Sequence, residues 1–92
     1  AVNNLAANFP NPFNPTTAIK FGLREKGHVT LRIYDVAGRL VRTLVDEVRN
    51  AGRYEAVWNG RNNNNAAVAS GVYFYRMKTS GFEQTRKMVL LK

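Results

Sequence analysis

Covalent or acid–base catalysis needs a nucleophile, a base to activate it and a group to orient that base, and the chain offers one histidine, His28, for the work. His28 stands between Gly27 and Val29 at the start of an alternating apolar run, which puts it on a surface strand edge rather than in a catalytic cluster. The six carboxylates are Glu25, Asp35, Asp46, Glu47, Glu55 and Glu83. Only Asp46 and Glu47 are adjacent, and successive strand residues point to opposite faces, so the two would diverge and form no acid–base pair. The absence of cysteine removes thiol catalysis, thiolate metal sites and disulfides together. Gly60, Gly71 and Gly81 stand singly at turns and build no phosphate-cradling loop. These residues predict a protein that is not an enzyme and uses neither cofactor nor metal.

The cations carry more weight. Fourteen Lys and Arg against six Asp and Glu give a net charge of +8, which favours an anionic partner such as an acidic polysaccharide or lipid. Arg32, Arg42, Arg76 and Arg86 fall on four separate strand-like runs and would align as a stripe across one sheet. Outward positions of half-buried strands are commonly charged, however, and no RNA-recognition pattern of aromatics and glycine accompanies these arginines, so nucleic acid is not expected.

The elements that must position these side chains are strands. Ninety-two residues make one domain that buries roughly 60–70% of the surface of its unfolded chain, and 45% hydrophobic residues suit a packed core. The longest apolar run, Met88 to Leu91, is strand-sized and far short of the roughly 18 residues that a membrane span needs. No basic start followed by an apolar stretch opens the chain at Ala1, so any export signal is expected upstream.

Residues 1–16 read as an extended Asn- and Pro-rich lead-in, with Phe9 and Phe13 available to pin it onto a body formed by residues 17–92. Alternation then marks Ile19, Phe21 and Leu23 on one face of a strand, and Val29, Leu31 and Ile33 on the next. A turn at Asp35-Val36-Ala37-Gly38 leads into Leu40 to Val45, whose broken alternation suggests a bulge or burial on two sides. Asn50-Ala51-Gly52 turns into a strand with Tyr54, Ala56 and Trp58 on one face, Trp58 being the expected core anchor. A polar loop from Asn59 to Gly71, with four asparagines at 62–65, precedes a strand carrying Tyr73, Tyr75 and Met77 inward. Ser80-Gly81 makes a tight hairpin into Phe82 to Leu91. About seven short strands and no helical periodicity predict an all-β, immunoglobulin-like antiparallel sandwich.

Several stretches together resemble a known family: Phe9-Pro10-Asn11-Pro12-Phe13-Asn14-Pro15-Thr16-Thr17, Tyr34-Asp35-Val36-Ala37-Gly38-Arg39, Val57-Trp58-Asn59-Gly60-Arg61, Ala69-Ser70-Gly71-Val72-Tyr73-Phe74-Tyr75-Arg76 and Lys87-Met88-Val89-Leu90-Leu91-Lys92. Over nearly the whole chain they look like the C-terminal sorting domain of the type IX secretion system. The Trp and the Gly-Val-Tyr strand are also similar to the Ig-like domain of the flagellar hook-capping protein. The Pro-Asn-Pro lead-in combined with a short basic-apolar last strand is the part that leans toward the sorting domain.

That resemblance implies a folded signal behind an N-terminal cargo domain, exported through the periplasm and recognised by the outer-membrane secretion translocon. It further implies sortase-like processing and release to the medium, or attachment to anionic lipopolysaccharide at the cell surface. Carried over residue by residue, Pro10, Asn11 and Pro12 set the lead-in, Gly71 and Tyr73 build the signal-bearing sheet, and Lys87, Met88, Val89, Leu90, Leu91 and Lys92 are read by the translocon. Asn59 and Asn62 stand where relatives usually have Asp, and a neutral amide oxygen is a poorer ligand for a hard cation, so no calcium is expected there. The alternative is an accessory Ig-like module of a larger extracellular protein, binding carbohydrate through an outward Phe74 or the loop asparagines, or serving a structural role of the hook-cap type.

Overall fold

The computed structural model describes residues 2–92. Ala1, the first residue of the expected lead-in, lies outside the described residues. Seven strands form: β1 (Asn4–Leu5), β2 (Thr17–Leu23), β3 (Gly27–Tyr34), β4 (Leu40–Arg49), β5 (Gly52–Trp58), β6 (Gly71–Thr79) and β7 (Phe82–Leu90). They make two antiparallel sheets, one ordered β1-β2-β5 and the other β4-β3-β6-β7. The all-β sandwich expected from the alternating pattern is the architecture found.

Alternation sets the core. Ile19, Phe21 and Leu23 from β2 and Trp58 from β5 face Val29, Leu31 and Ile33 from β3 and Tyr75, Met77, Met88 and Leu90 from β6 and β7, all of them buried. A one-residue slip in any of these strands would turn its apolar set to water, so the core fixes the register. The poor alternation of the third main run has its cause in β4: the pairing with β3 shifts between Leu31 and Arg32 and again between Ile33 and Tyr34. The strand also continues past Val45 to Arg49, longer than its apolar residues suggested, because Asp46, Glu47 and Val48 keep pairing with β3 at the rim of the sheet.

Turn chemistry is where it was expected. The Asp35 carboxylate accepts from the N–H groups of Ala37 (2.9 Å) and Arg39 (3.0 Å), and Gly38 closes the turn at φ 82°. The backbone hydrogen bond from Arg39, helped by its guanidinium, holds Asp35 below the usual carboxylate range.

The largest departure concerns the lead-in. Residues from Asn4 onward belong to the sandwich rather than preceding it. Asn4 and Leu5 pair with Gly22 and Phe21, Ala6 N–H donates to Lys20 C=O (2.9 Å), and Phe9 exchanges both backbone hydrogen bonds with Ala18. The space above Gly22 is what admits this strand, since a Cβ at that position would stand 2.8 Å from the Val2 carbonyl oxygen. Beyond Phe9 the chain leaves the first sheet, crosses to β7 of the second, and returns at Thr17. The boundary expected after residue 16 therefore separates no two bodies.

The two phenylalanines of the lead-in divide their roles. Phe13 is 2% exposed and sits on Trp58 with ring centroids 5.7 Å apart, whereas Phe9 is 79% exposed. Phe13→Ala should therefore cost about 3–5 kcal/mol in a urea unfolding titration, and Phe9→Ala less than about 0.5 kcal/mol.

Candidate functional site

The residues singled out in the sequence come from both ends of the chain, and the strand pairing gathers them at one corner. Gly71 lies opposite Leu90, Val72 opposite Val89 and Tyr73 opposite Met88. The lead-in then closes the far side of β7. Phe13 N–H donates to Val89 C=O (3.0 Å), Leu91 N–H donates to Phe13 C=O (2.9 Å), and Val89 N–H donates to Asn11 Oδ1 (3.0 Å). Lys92 N–H donates to Ser70 Oγ (3.1 Å). Pro10, Asn11, Pro12, Lys87, Leu91 and Lys92 are exposed, Gly71 and Val89 half-buried, and Tyr73, Met88 and Leu90 buried. The exposed members form the surface of the corner, and the buried ones hold it to the core.

Beneath that surface lies an aromatic stack. Trp58 packs against Phe13 on one side and edge-on against Tyr73 on the other, at 5.3 Å between centroids. Its indole N–H donates to Arg61 C=O (2.9 Å) and the Tyr73 hydroxyl to Ala69 C=O (2.6 Å), so both polar tips are satisfied by the Asn59–Gly71 loop. Burial, together with the charge of Asp35, pushes the Tyr73 phenol up. Gly60 passes under Pro15, and a Cβ there would stand 3.1 Å from the Pro15 carbonyl oxygen.

A second seam joins the sheets beside β1. Tyr75 projects across the core; its hydroxyl accepts from Asn8 N–H (2.9 Å) and donates to Ala6 C=O (2.8 Å). Arg86, inward on β7, donates through Nε to Leu5 C=O (2.7 Å). Asn8 is buried, and its amide donates to Pro10 C=O (3.2 Å) and Thr17 Oγ1 (3.1 Å). Sequence reasoning named Phe13 as a pin for the lead-in but missed Leu5 and Asn8 as structural members. The signal for them was a polar, proline-broken stretch carrying isolated apolar residues, which has no period to read.

The anticipated arginine stripe does not form. Arg32 and Arg76 are direct cross-strand neighbours on the outer face, but Arg86 stands opposite buried Tyr75 and Arg42 opposite buried Ile33, on the inner side. Arg86 is tied to Leu5, and Arg42 donates to Asn62 C=O (2.9 Å), so both serve as internal braces. Arg76 lies over the Tyr34 ring at 4.7 Å. His28 contacts Asp46 at 2.8 Å on the exposed face of the second sheet, with Arg32 at 3.4 Å from the other Asp46 oxygen. Glu47 turns instead to Arg49, so the adjacent carboxylates diverge.

The asparagine run has its own explanation. Asn62 Oδ1 accepts from the N–H groups of Asn64 and Ala66, both at 3.0 Å, and is thereby engaged in its own turn. Asn63 donates its N–H to Val41 C=O and accepts from Thr43 N–H, each at 3.0 Å, which covers the start of the β4 edge. Among the described residues, no three His, Asp or Glu side chains converge as a metal ion would require. Phe74, the expected outward aromatic, is half-buried opposite Tyr34. On the outer side of the first sheet, exposed Phe9 and Val57 flank half-buried Ala18, which lies directly opposite each of them on neighbouring segments.

Residues 10–81 match the FlgD Ig-like domain. The chain belongs to that family. The FlgD Ig-like fold is also found in solved structures of low sequence identity. Dimeric latent PorU from Porphyromonas gingivalis superposes with a TM-score of 0.76 at 21% identity, over 99% of this chain and 10% of PorU. PorZ, a surface component of the type IX secretion system of the same bacterium, gives 0.64 at 23% identity, over 94% of this chain and 11% of PorZ. The hook-capping protein FlgD from Xanthomonas campestris gives 0.65 at 21% identity, over 95% of this chain and 65% of FlgD. The chain thus spans about a tenth of the two Por proteins and less than two thirds of FlgD. No curated protein matches it in sequence.

The Tyr75 seam predicts a pH response. Burial pushes the Tyr75 phenol above its ordinary value of 10.0, so the folded chain keeps a proton that the unfolded chain releases. That stabilisation is complete below pH 10.0 and is lost as pH rises through the folded value. Tyr75→Phe, which leaves Asn8 N–H and Ala6 C=O without their shared partner, should cost about 1–3 kcal/mol near neutral pH. It should also flatten the alkaline decline of the melting temperature followed by circular dichroism.

Proposed function

We propose that the chain is a C-terminal sorting and anchoring module, directing an N-terminal cargo through the type IX secretion system to the cell surface or medium. The observation that carries this reading is the joining of the Pro10-Asn11-Pro12 lead-in to the last strand, through Asn11 Oδ1 and Val89 N–H, in one exposed corner. The resemblance assigns these two segments to the signal, and the outer-membrane secretion translocon would meet them as a single surface. The shared fold with PorU and PorZ supports the same context. In this reading Lys87, Leu91 and Lys92 present the cationic and apolar contacts, while Met88, Leu90, Gly71 and Tyr73 hold the strand in place. Sortase-like processing and attachment to anionic lipopolysaccharide follow translocation.

Simple truncation is a poor test, because removing residues 87–92 would also remove Met88 and Leu90, both 0% exposed, from the core. The better comparison fuses an export signal and a fluorescent reporter to the intact chain and to a Lys87→Ala, Leu91→Ala, Lys92→Ala variant, which alters only exposed side chains. In a host with type IX secretion, the intact fusion is expected at the surface or in the medium and the folded variant in the periplasm. Retention of both in the periplasm would sink the sorting reading.

Membership of the FlgD Ig-like family favours a second reading, a structural module of the hook-cap type within a larger extracellular protein. Retention of both fusions is the outcome that this reading expects.

A further inference from the structure

The outer edge of β7 is divided in two. The Ser80-Gly81 hairpin and the register of the ladder make Thr79 and Phe82 a hydrogen-bonded pair. The backbone groups of Phe82, Gln84, Arg86 and Met88 accordingly turn toward β6, and those of Glu83, Thr85, Lys87 and Val89 turn away from it. Val89 gives its N–H to Asn11 and its C=O to Phe13. Glu83, Thr85 and Lys87 have no backbone partner among the described residues, and their side chains are exposed. A short open edge therefore lies between the hairpin tip and the crossing lead-in. Gln84 and Arg86 point inward along it, with Arg86 held by Leu5 C=O, so they do not obstruct an incoming strand.

We propose that this open edge pairs antiparallel with the same edge of a second copy of the chain, about a two-fold axis at Thr85. Charge complementarity favours this pairing. With Thr85 opposite the second copy's Thr85, Glu83 falls opposite the second copy's Lys87, and Lys87 opposite its Glu83. Each is an opposite-charge pair on the same sheet face, and each residue involved turns its backbone groups outward, giving two hydrogen bonds per opposed pair. The neighbouring registers are worse. Sliding by two residues one way brings Glu83 against Val89, whose backbone groups are already taken, and sliding the other way brings Lys87 against the turn residue Gly81. A parallel in-register alignment sets like charges side by side. The lead-in thus limits the edge to the stretch whose charges are self-complementary, and the product is a continuous eight-stranded sheet made from two four-stranded ones.

The paired surface is one strand wide and belongs to the weak class of interface, so the dissociation constant should be on the order of 0.1–1 mM. Sedimentation of the 92-residue chain over a concentration series is the test. The wild type should move from monomer to dimer. Thr85→Pro removes an N–H that faces away from β6, leaves the internal ladder intact, and should weaken association by about tenfold or more while circular dichroism stays native. Lys87→Glu places Glu against Glu and should weaken association by a similar factor, whereas Glu83→Lys combined with Lys87→Glu should return it to within about twofold of wild type. The double exchange keeps the test decisive even if the proline variant fails to fold. A chain that stays monomeric up to about 1 mM overturns the proposal. So does wild-type association by a folded Thr85→Pro variant, which would move the contact to another surface such as the Phe9, Ala18 and Val57 row. A monomer whose β7 edge instead takes up a synthetic extended peptide, seen as amide shifts at Glu83 to Lys87, would also overturn it and give the edge to a different chain.

Discussion

A strand on the rim of a sheet carries backbone donors and acceptors that its own sheet cannot satisfy, and each must find another partner or remain with water. A two-sheet sandwich of this size has such rims on every side, and its remaining structure is arranged around them. The lead-in settles the C-terminal part of β7 through Asn11 and Phe13, and the asparagine loop settles the start of β4 through Asn63. In both places an asparagine side chain stands in for a strand, accepting the bond that a further backbone carbonyl would have accepted. Asparagine suits the task because one short side chain offers an acceptor and donors while tolerating tight turns, as Asn65 does at φ 62°.

Closing the rims also closes the gap between the sheets. Phe13 reaches the core only because the lead-in has been drawn across to β7, and once there it completes the stack with Trp58 and Tyr73. Along the β1 side the gap is spanned by polar groups, Tyr75 to Ala6 and Asn8, and Arg86 to Leu5. On the opposite side Arg49, from β4, lies 4.9 Å over the Tyr54 ring, which is itself stacked on Phe21 at 5.5 Å. Long amphipathic side chains thus cover the flanks of a core too thin to be sealed by aliphatic residues alone.

What was legible in the sequence was what period two can encode. The inward sets of β2, β3, β5 and β6 could be named residue by residue because each alternates, and the turns at Asp35 and Gly81 announce themselves by composition. The break in β4 could be sensed from Leu40, Val41, Leu44 and Val45, but its two register shifts depend on the partner strand and on Asn63, neither of which is local. The roles of Leu5, Asn8 and Asn11 were hidden for the same reason, since a hydrogen bond from Val89 to Asn11 leaves no mark in the composition of either segment. The arginine stripe failed on parity: Arg32 and Arg76 share a face, whereas Arg42 and Arg86 fall on the other. For the candidate site, the residue types were readable and their meeting was not.

The Phe13–Leu91 junction ties together residues that lie far apart in the sequence. Chains emerge from the ribosome beginning with the N-terminus, so the lead-in is made first and its docking site last. Phe13 and Asn11 must wait, solvated, until β7 has been added and has paired with β6, and contacts of such long sequence separation are slow to form because the loop entropy is lost before they reward it. The fold is consequently a latch that engages only once β7 is in place: a polypeptide halted before Val89 retains two sheets' worth of strands but has nothing for Asn11 and Phe13 to fasten to.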